Sequence, residues 1–363
     1  MKKTLIVLYI CGIIPLLSAQ NKPIVWSDGK LSWDDFTEST TTNQAGTFRY
    51  FLEYKTQKDH FNDTVVNHFV ANCRFDKANS TVHPDYKTDQ LLRYNQIIFD
   101  LTEIYRRDLQ HKLDILTLPG ESEEIFENIT KALNNEIKRF KEDSQDGTNL
   151  NKIVLWEQIC ENRLERHPIE RLPAFSVSRF GYGLNAGIGT SILTGSLSNF
   201  FTPSFNMAYG FELSWDNSSV FLSATLGGNR QFTSYRRDTR VWPANKGVTY
   251  AIGDLAYGYT VFEKGKWKMT PMAGLCISEM SFENQFLRLS DINFLVGLNT
   301  EYVIAKRIQL IPSIISEARE YSQTAIRTRL YLTNANFYPD LKGISVNLSV
   351  GLTLNGHFLE VFN

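Results

Sequence analysis

The sequence predicts an α+β unit followed by an antiparallel transmembrane β-barrel of about eight strands, and three observations carry that prediction. Outward-apolar, inward-polar alternation recurs through the last ~190 residues. The connections between alternating segments are short and long in turn. The first 19 residues read as an export signal.

The barrel pattern is clearest in two runs. From Phe205 to Trp215, Phe205, Met207, Tyr209, Phe211, Leu213 and Trp215 fall on one face, and Asn206, Ala208, Gly210, Glu212 and Ser214 on the other. Side chains along a strand alternate faces, so one face meets lipid and the other a polar interior. Ile344 to Asn355 repeats the pattern, with Ile344, Val346, Leu348, Val350, Leu352 and Leu354 on the apolar face. Noisier runs begin near Phe180, Val220, Thr249, Trp267, Ile292 and Ile308, which brings the strand count to about eight. A soluble β-sandwich also alternates, and it is the competing fold.

The connections favour the barrel. Asp216 to Ser219, Glu263 to Lys266 and Lys306-Arg307 read as tight turns, whereas Thr194–Pro203, Asn229–Lys246, Phe282–Asp291 and Glu317–Lys342 read as long loops. An even strand number brings both chain ends to the short-turn side, which is periplasmic in bacterial barrels. Tyr182, Trp215, Tyr259, Trp267 and Tyr302 lie near strand ends, where interfacial aromatic girdles form. The strands resemble those of small porin-like and OmpA-like outer-membrane barrels. Glu212, Asp254, Lys268 and Glu301 take inward positions, either as a packed polar network or as the lining of a narrow pore. Small barrels are filled by side chains, which favours packing.

At the other end, Lys2 and Lys3 precede an apolar run from Leu5 to Leu17, and Leu17-Ser18-Ala19 before Gln20 has the form of a signal-peptidase site. The run is short for a membrane anchor. The predicted organisation is therefore a signal peptide over 1–19, a periplasmic domain over 20–168 and a barrel over 169–363. The boundary falls near Arg166 to Pro173, where two prolines and mixed charge interrupt a helical pattern. The segment up to Glu170 is acidic in balance and the remainder slightly basic, and neither excess suggests nucleic acid as a partner. A mean hydropathy of −0.25 is compatible with a barrel, whose apolar surface is hidden in alternation.

The segment between signal and barrel begins with Trp26 to Phe36. Alternating runs at Thr47–Tyr54 and Val65–Phe75 follow, then helical patterns at about Asp85–Leu113, Glu121–Lys141 and Asn151–Arg166. In the first helix Leu91, Leu92, Asn95, Ile98, Leu101, Thr102, Tyr105 and Leu109 follow helical spacing, as a core helix does.

Several pieces of this unit resemble a bacterial family of secreted zinc peptidases of zincin type. They are Trp26-Ser27-Asp28 through Trp33-Asp34-Asp35-Phe36, then Ala45-Gly46-Thr47, then Val70 to Phe75, and finally Leu91 to Tyr105. The family opens on W-x-D-F, builds a small sheet and carries a helix reading roughly L-L-x-H-E-Q-x-H-F-D-I-x-E-x-Y. In such a helix two histidines one turn apart hold zinc while the intervening glutamate activates water. Here those positions are Tyr94, Asn95 and Ile98. Tyrosine is a poor zinc ligand at neutral pH, isoleucine cannot ligate and asparagine cannot act as a general base. Gln96, Phe99, Asp100, Glu103 and Tyr105 stand as the family has them, with Glu103 a vestigial ligand. The resemblance implies a pseudoenzyme domain with no metal, no cofactor and no catalytic residues.

His60, His68 and His83 lack ligand spacing and read as surface or turn residues. Past the signal, Cys73, Cys160 and Cys276 remain, and Cys276 falls on an inward barrel position. Cys73 and Cys160 are then either a disulfide, in keeping with the periplasm, or two buried thiols. The expected protein is non-enzymatic, with a lipid-embedded barrel as anchor and the periplasmic domain as a scaffold for another envelope protein. A residual hydrolase with an unrecognised site and a small-solute pore are the alternatives.

Overall fold

A computed structural model describes residues 24–40, 45–167, 172–237, 240–282, 288–313 and 318–362. The signal-peptide assignment lies outside the described residues. The α+β unit is built on a hairpin of β1 (Tyr50–Phe61) and β2 (Thr64–Phe75), joined through Asn62, whose left-handed φ of 56° suits an asparagine turn. Three helices follow: α1 (Asp89–Asp114), α2 (Glu121–Asp143) and α3 (Leu150–Arg166). The Thr88 hydroxyl caps α1 by accepting from the Leu91 N–H, and Asn149 caps α3 through the Lys152 N–H.

Helix α1 lies between the hairpin and the other two helices because it is apolar on more than one side. Leu109 and Leu113 meet Phe69 and Ala71 of β2, while Ile97, Ile98, Leu101 and Ile104 meet Leu133, Ile137 and Phe140 of α2 and Ile153 and Trp156 of α3. A third cluster joins Phe99 to Phe75, Phe36, Leu31 and Val82. Each fully buried apolar side chain of this size contributes about 1.5–3 kcal/mol.

Eight strands follow: β3 (Ala174–Leu193), β4 (Ser204–Trp215), β5 (Ser218–Gln231), β6 (Lys246–Tyr259), β7 (Trp267–Phe282), β8 (Arg288–Gln309), β9 (Arg319–Tyr338) and β10 (Leu341–Phe362). Each pairs antiparallel with its sequence neighbour, and β10 pairs with β3 to close the ring. At this closing seam Gly187 stands opposite Gly351, and a Cβ on Gly351 would press into the Ala186 carbonyl. The wall is apolar outside: Leu184, Ile188, Phe205, Met207, Leu222, Leu255, Leu275, Phe294, Leu330 and Leu352 are all exposed. Trp215, Tyr259, Trp267 and Tyr302 are exposed at one rim, with Trp267 and Tyr302 paired at 4.9 Å. Tyr182 meets Phe358 at 5.8 Å on the same outer face.

Two expected connections are corrected. Lys306-Arg307 is not a turn but lies inside β8, and Glu317–Lys342 is not a loop, because it is mostly β9, which reaches β10 through Pro339-Asp340. The connection between β8 and β9 is Leu310 to Ala318 instead. Strict alternation of short and long connections therefore fails. The reason is local: β9 puts Arg327 and Arg329 inside and Asn334 and Asn336 near its end, so its alternation reads as polar sequence.

Both ends of the barrel are covered. At the rim away from the α+β unit, the β5–β6 connection folds back as a short hairpin, Tyr235–Arg237 against Arg240–Trp242. Tyr235 and Trp242 are buried there with Leu197, Phe201, Phe337 and Leu341, continuous with Tyr250, Met280 and Leu289 inside. At the other rim β8 extends past the wall and pairs parallel with β2, Lys306 opposite Thr64 through Gln309 opposite Asn67. Val66 of β2 packs there on Leu310 and Leu359, with Ile308, Phe175, Tyr321 and Val361 around them. The hairpin of the α+β unit is thus one continuous sheet with the barrel.

Candidate functional site

Tyr94, Asn95 and Ile98 sit in the middle of α1, inside the helical core. Tyr94 is 7% exposed and stacks on Phe140 at 5.1 Å. Burial pushes its phenol up to about 12, so it stays protonated at neutral pH. Asn95 is buried and donates Nδ2 to the Leu91 carbonyl at 2.7 Å, while its Oδ1 has no partner. Ile98 is a core residue among Leu101, Leu133 and Ile137. Glu103 is 3% exposed, and Arg106 and Arg107 grip it through nitrogens at 2.7 to 2.9 Å. Both of its oxygens are engaged by those arginines, so this carboxylate is not free to ligate a metal. Among the described residues no His, Cys, Asp and Glu group is arranged to hold a metal ion.

The pieces that carry the peptidase resemblance do meet in space. Trp26 donates its indole N–H to Asp100 at 2.8 Å, and the Leu31 N–H donates to Gln96 at 2.7 Å. Gln96 also donates to Asp100 at 2.7 Å. Burial raises the Asp100 carboxyl above the ordinary range, against the pull of those two donors. This triad fastens the opening segment to α1.

Cys73 and Cys160 are free thiols, not a disulfide. Cys73 lies on β2 in the cluster with Phe99, and Cys160 lies on α3 in the cluster with Ile98 and Trp156, so α1 separates them. Burial raises both thiols, Cys160 to about 12, and neither is poised as a nucleophile. Cys276 faces inward and lies 2.9 Å from the Thr333 hydroxyl. His68 is buried and bonds Asp59 at 2.8 Å, whose carboxyl is lowered by Gln57 and by His68. His83 caps a short turn by accepting from the Asp85 N–H, and His60 is exposed.

Inside the barrel, Glu212, Asp254 and Glu301 are all at most 4% exposed. Their partners are two arginines that the sequence reading missed, both on β9. Arg327 holds Glu301 at 2.5 and 2.9 Å and also holds Glu212, while Arg329 holds Asp254 at 2.6 Å. Lys268 adds its charge near Glu212. Arg327 lies 5.5 Å from the Phe221 ring and Arg329 lies 4.9 Å from that of Tyr331. A cavity of about 20 Å³ beside the two guanidiniums has room for little more than one water. The signal for these arginines was available: Arg327, Arg329, Tyr331 and Thr333 share one face of a strand-length run. Their charge density read as loop.

No family model matches the sequence, and no curated protein matches it. Several solved structures are similar to it over about half of this chain. Neisserial surface protein A aligns with a TM-score of 0.32 and 9% identity, over 50% of this chain and 97% of that one. Ail, the attachment invasion locus protein of Yersinia pestis, aligns at 0.26 and 7%, over 50% and 98%. The N-terminal β-barrel domain of Pseudomonas aeruginosa OprF aligns at 0.25 and 12%, over 51% and 100%. This chain itself folds in its second half as a closed eight-stranded barrel with an apolar outer wall.

Proposed function

We infer that this chain is an outer-membrane barrel whose role is to anchor the α+β unit rigidly at the periplasmic face, where the unit serves as a scaffold for an envelope partner. The observation that carries the reading is the continuous sheet from β2 into β8. A unit tethered by a flexible linker would sample many orientations, whereas a strand-paired one keeps a single orientation relative to the membrane. The apolar wall and the aromatic rim support membrane insertion, since a closed ring leaves no backbone group unpaired in lipid. Arg319 of β9 strengthens the joint by donating to the Asp114 and Leu116 carbonyls at 2.7 and 2.6 Å.

The interior speaks against a pore, because its charges are paired and both rims are covered by apolar clusters. The α+β unit is read as a zinc-peptidase scaffold that has lost its chemistry. The Trp26, Gln96 and Asp100 triad favours that ancestry, and the core packing of Tyr94 and Ile98 favours the loss. Tags placed in the β5–β6 connection and at Pro339-Asp340 are expected to be labelled on intact cells. Tags at Asp216-Asn217 and in the β1–β2 turn are expected to need permeabilised cells. Labelling of the β1–β2 turn on intact cells would invert the topology, and stable single-channel conductance in planar bilayers would restore the pore.

A further inference from the structure

A cleft of about 520 Å³ opens where the ends of α1 and α3 meet the start of β3 and the end of β10. It is amphiphilic. Ile115, Ile129 and Phe362 contribute to an apolar wall, while Lys112 and Arg166 bring fixed positive charge, with His111 beside them. Asp108 and Asp114 are the acids of the lining.

Three features ask for a ligand. First, the cations are not needed where they stand. Basic residues at helix ends ordinarily satisfy terminal carbonyls. Here Arg319 already donates to the carbonyls of Asp114 and Leu116, and Arg107 to those of Leu164 and His167. Among the described residues Lys112 and Arg166 have no ion-pair partner. Second, neither acid of the lining pairs with them: Asp114 accepts from Gln110 Nε2 at 2.8 Å, and no ion pair joins Asp108 to Lys112 or Arg166 among the described residues. Third, the cleft reaches the barrel wall through Phe362, an exposed residue at the end of β10. Along β10, Leu352, Leu354, Phe358 and Phe362 are exposed on one outer face, with Gly356 and Glu360 at the intervening outward positions. Phe362 lies four residues, roughly 13 Å, beyond the rim residue Phe358. That is headgroup depth if Phe358 and Tyr182 mark the interface.

We propose that this cleft binds the phosphate of an anionic phospholipid from the periplasmic leaflet, with Lys112 and Arg166 as its cations and the β10 stripe as the track of an acyl chain. The proposal rests on the membrane placement argued above. A bound lipid would neutralise the convergent charge and fill the gap between the α+β unit and the bilayer.

The test is native mass spectrometry of the full chain in detergent, titrated with short-chain phosphatidylglycerol or phosphatidylcholine. Phosphatidylglycerol is expected to be retained selectively, and the double variant Lys112→Gln, Arg166→Gln to weaken that retention about tenfold. Lys138→Gln, on the exposed face of α2, is expected to change nothing. Heat-modifiable migration of each variant reports that the barrel is intact. Equal retention of the two lipids, or unchanged retention in the double variant, would overturn the site. Displacement by inorganic phosphate as effectively as by phosphatidylglycerol would overturn the lipid and leave an anion site. Recovery of the wild-type chain without detergent would instead sink the membrane placement itself.

Discussion

Arg327 reaches two carboxylates at once inside the wall, Glu212 and Glu301, beside a cavity of only about 20 Å³. Buried ion pairs of this kind add little net stability over an apolar filling, but removing one partner strands the other's charge. Arg327→Met therefore leaves two buried carboxylates facing each other and should cost about 3–5 kcal/mol. The readout is the temperature at which the compact band is lost in detergent gels. Adding Glu212→Gln and Glu301→Gln to that variant should recover much of the loss. A single variant as heat-resistant as the parent would show that water reaches the cluster. Gly187 and Gly351 act at the same scale, since their close approach lets the ring close without a side chain at the seam.

Helix α1 is the element that links every layer of the α+β unit, and its end is where that unit meets the barrel. Asp114, in its last turn, accepts from Gln110 Nε2 at 2.8 Å and is half-buried beside the junction. Burial raises its carboxyl from 3.8 to about 6. A carboxyl raised on folding binds more protons in the native state, so its stabilising contribution is complete below 3.8 and is lost as pH rises through about 6. Protection of α1 amides from hydrogen exchange in the full chain should accordingly fall across that window. In Asp114→Asn, which keeps an oxygen for Gln110 to donate to, this component should disappear. A pH dependence unchanged by the substitution would assign it to another group.

At the scale of the molecule, the barrel and the α+β unit are two folds sharing one sheet. Closure of β10 on β3 leaves the ring without an edge, and the apolar covers at both rims keep solvent from the interior. Purified protein should show heat-modifiable migration, compact until boiled and slower afterwards. Insensitivity to boiling, together with recovery in the soluble periplasmic fraction, would return the chain to a soluble β fold. The pairing of β2 with β8 also predicts that the α+β unit is worse protected alone than in the whole chain, because Val66 then loses Leu310 and Leu359.

Most of the local architecture is legible in the chain, because signals between neighbouring residues carry it. Alternation from Phe205 to Trp215 and from Ile344 to Asn355 is a property of neighbouring residues, as is the helical spacing of Leu91 to Leu109. The inward placement of Glu212, Asp254, Glu301 and Cys276 followed from the same two-residue period. The remaining features depend on partners distant in the chain and are visible only in the folded molecule. The partners of Arg327 and Arg329 are fixed only once β9 is seated beside β8, where Glu301 faces Arg327. Cys73 and Cys160 are separated by a helix that contacts both, and Glu103 is occupied by arginines whose side chains turn back on their own helix. The joint between β2 and β8 has no periodic signature at all, since it pairs residues about 240 positions apart in parallel and is set by the docking of two folds rather than by the pattern of either.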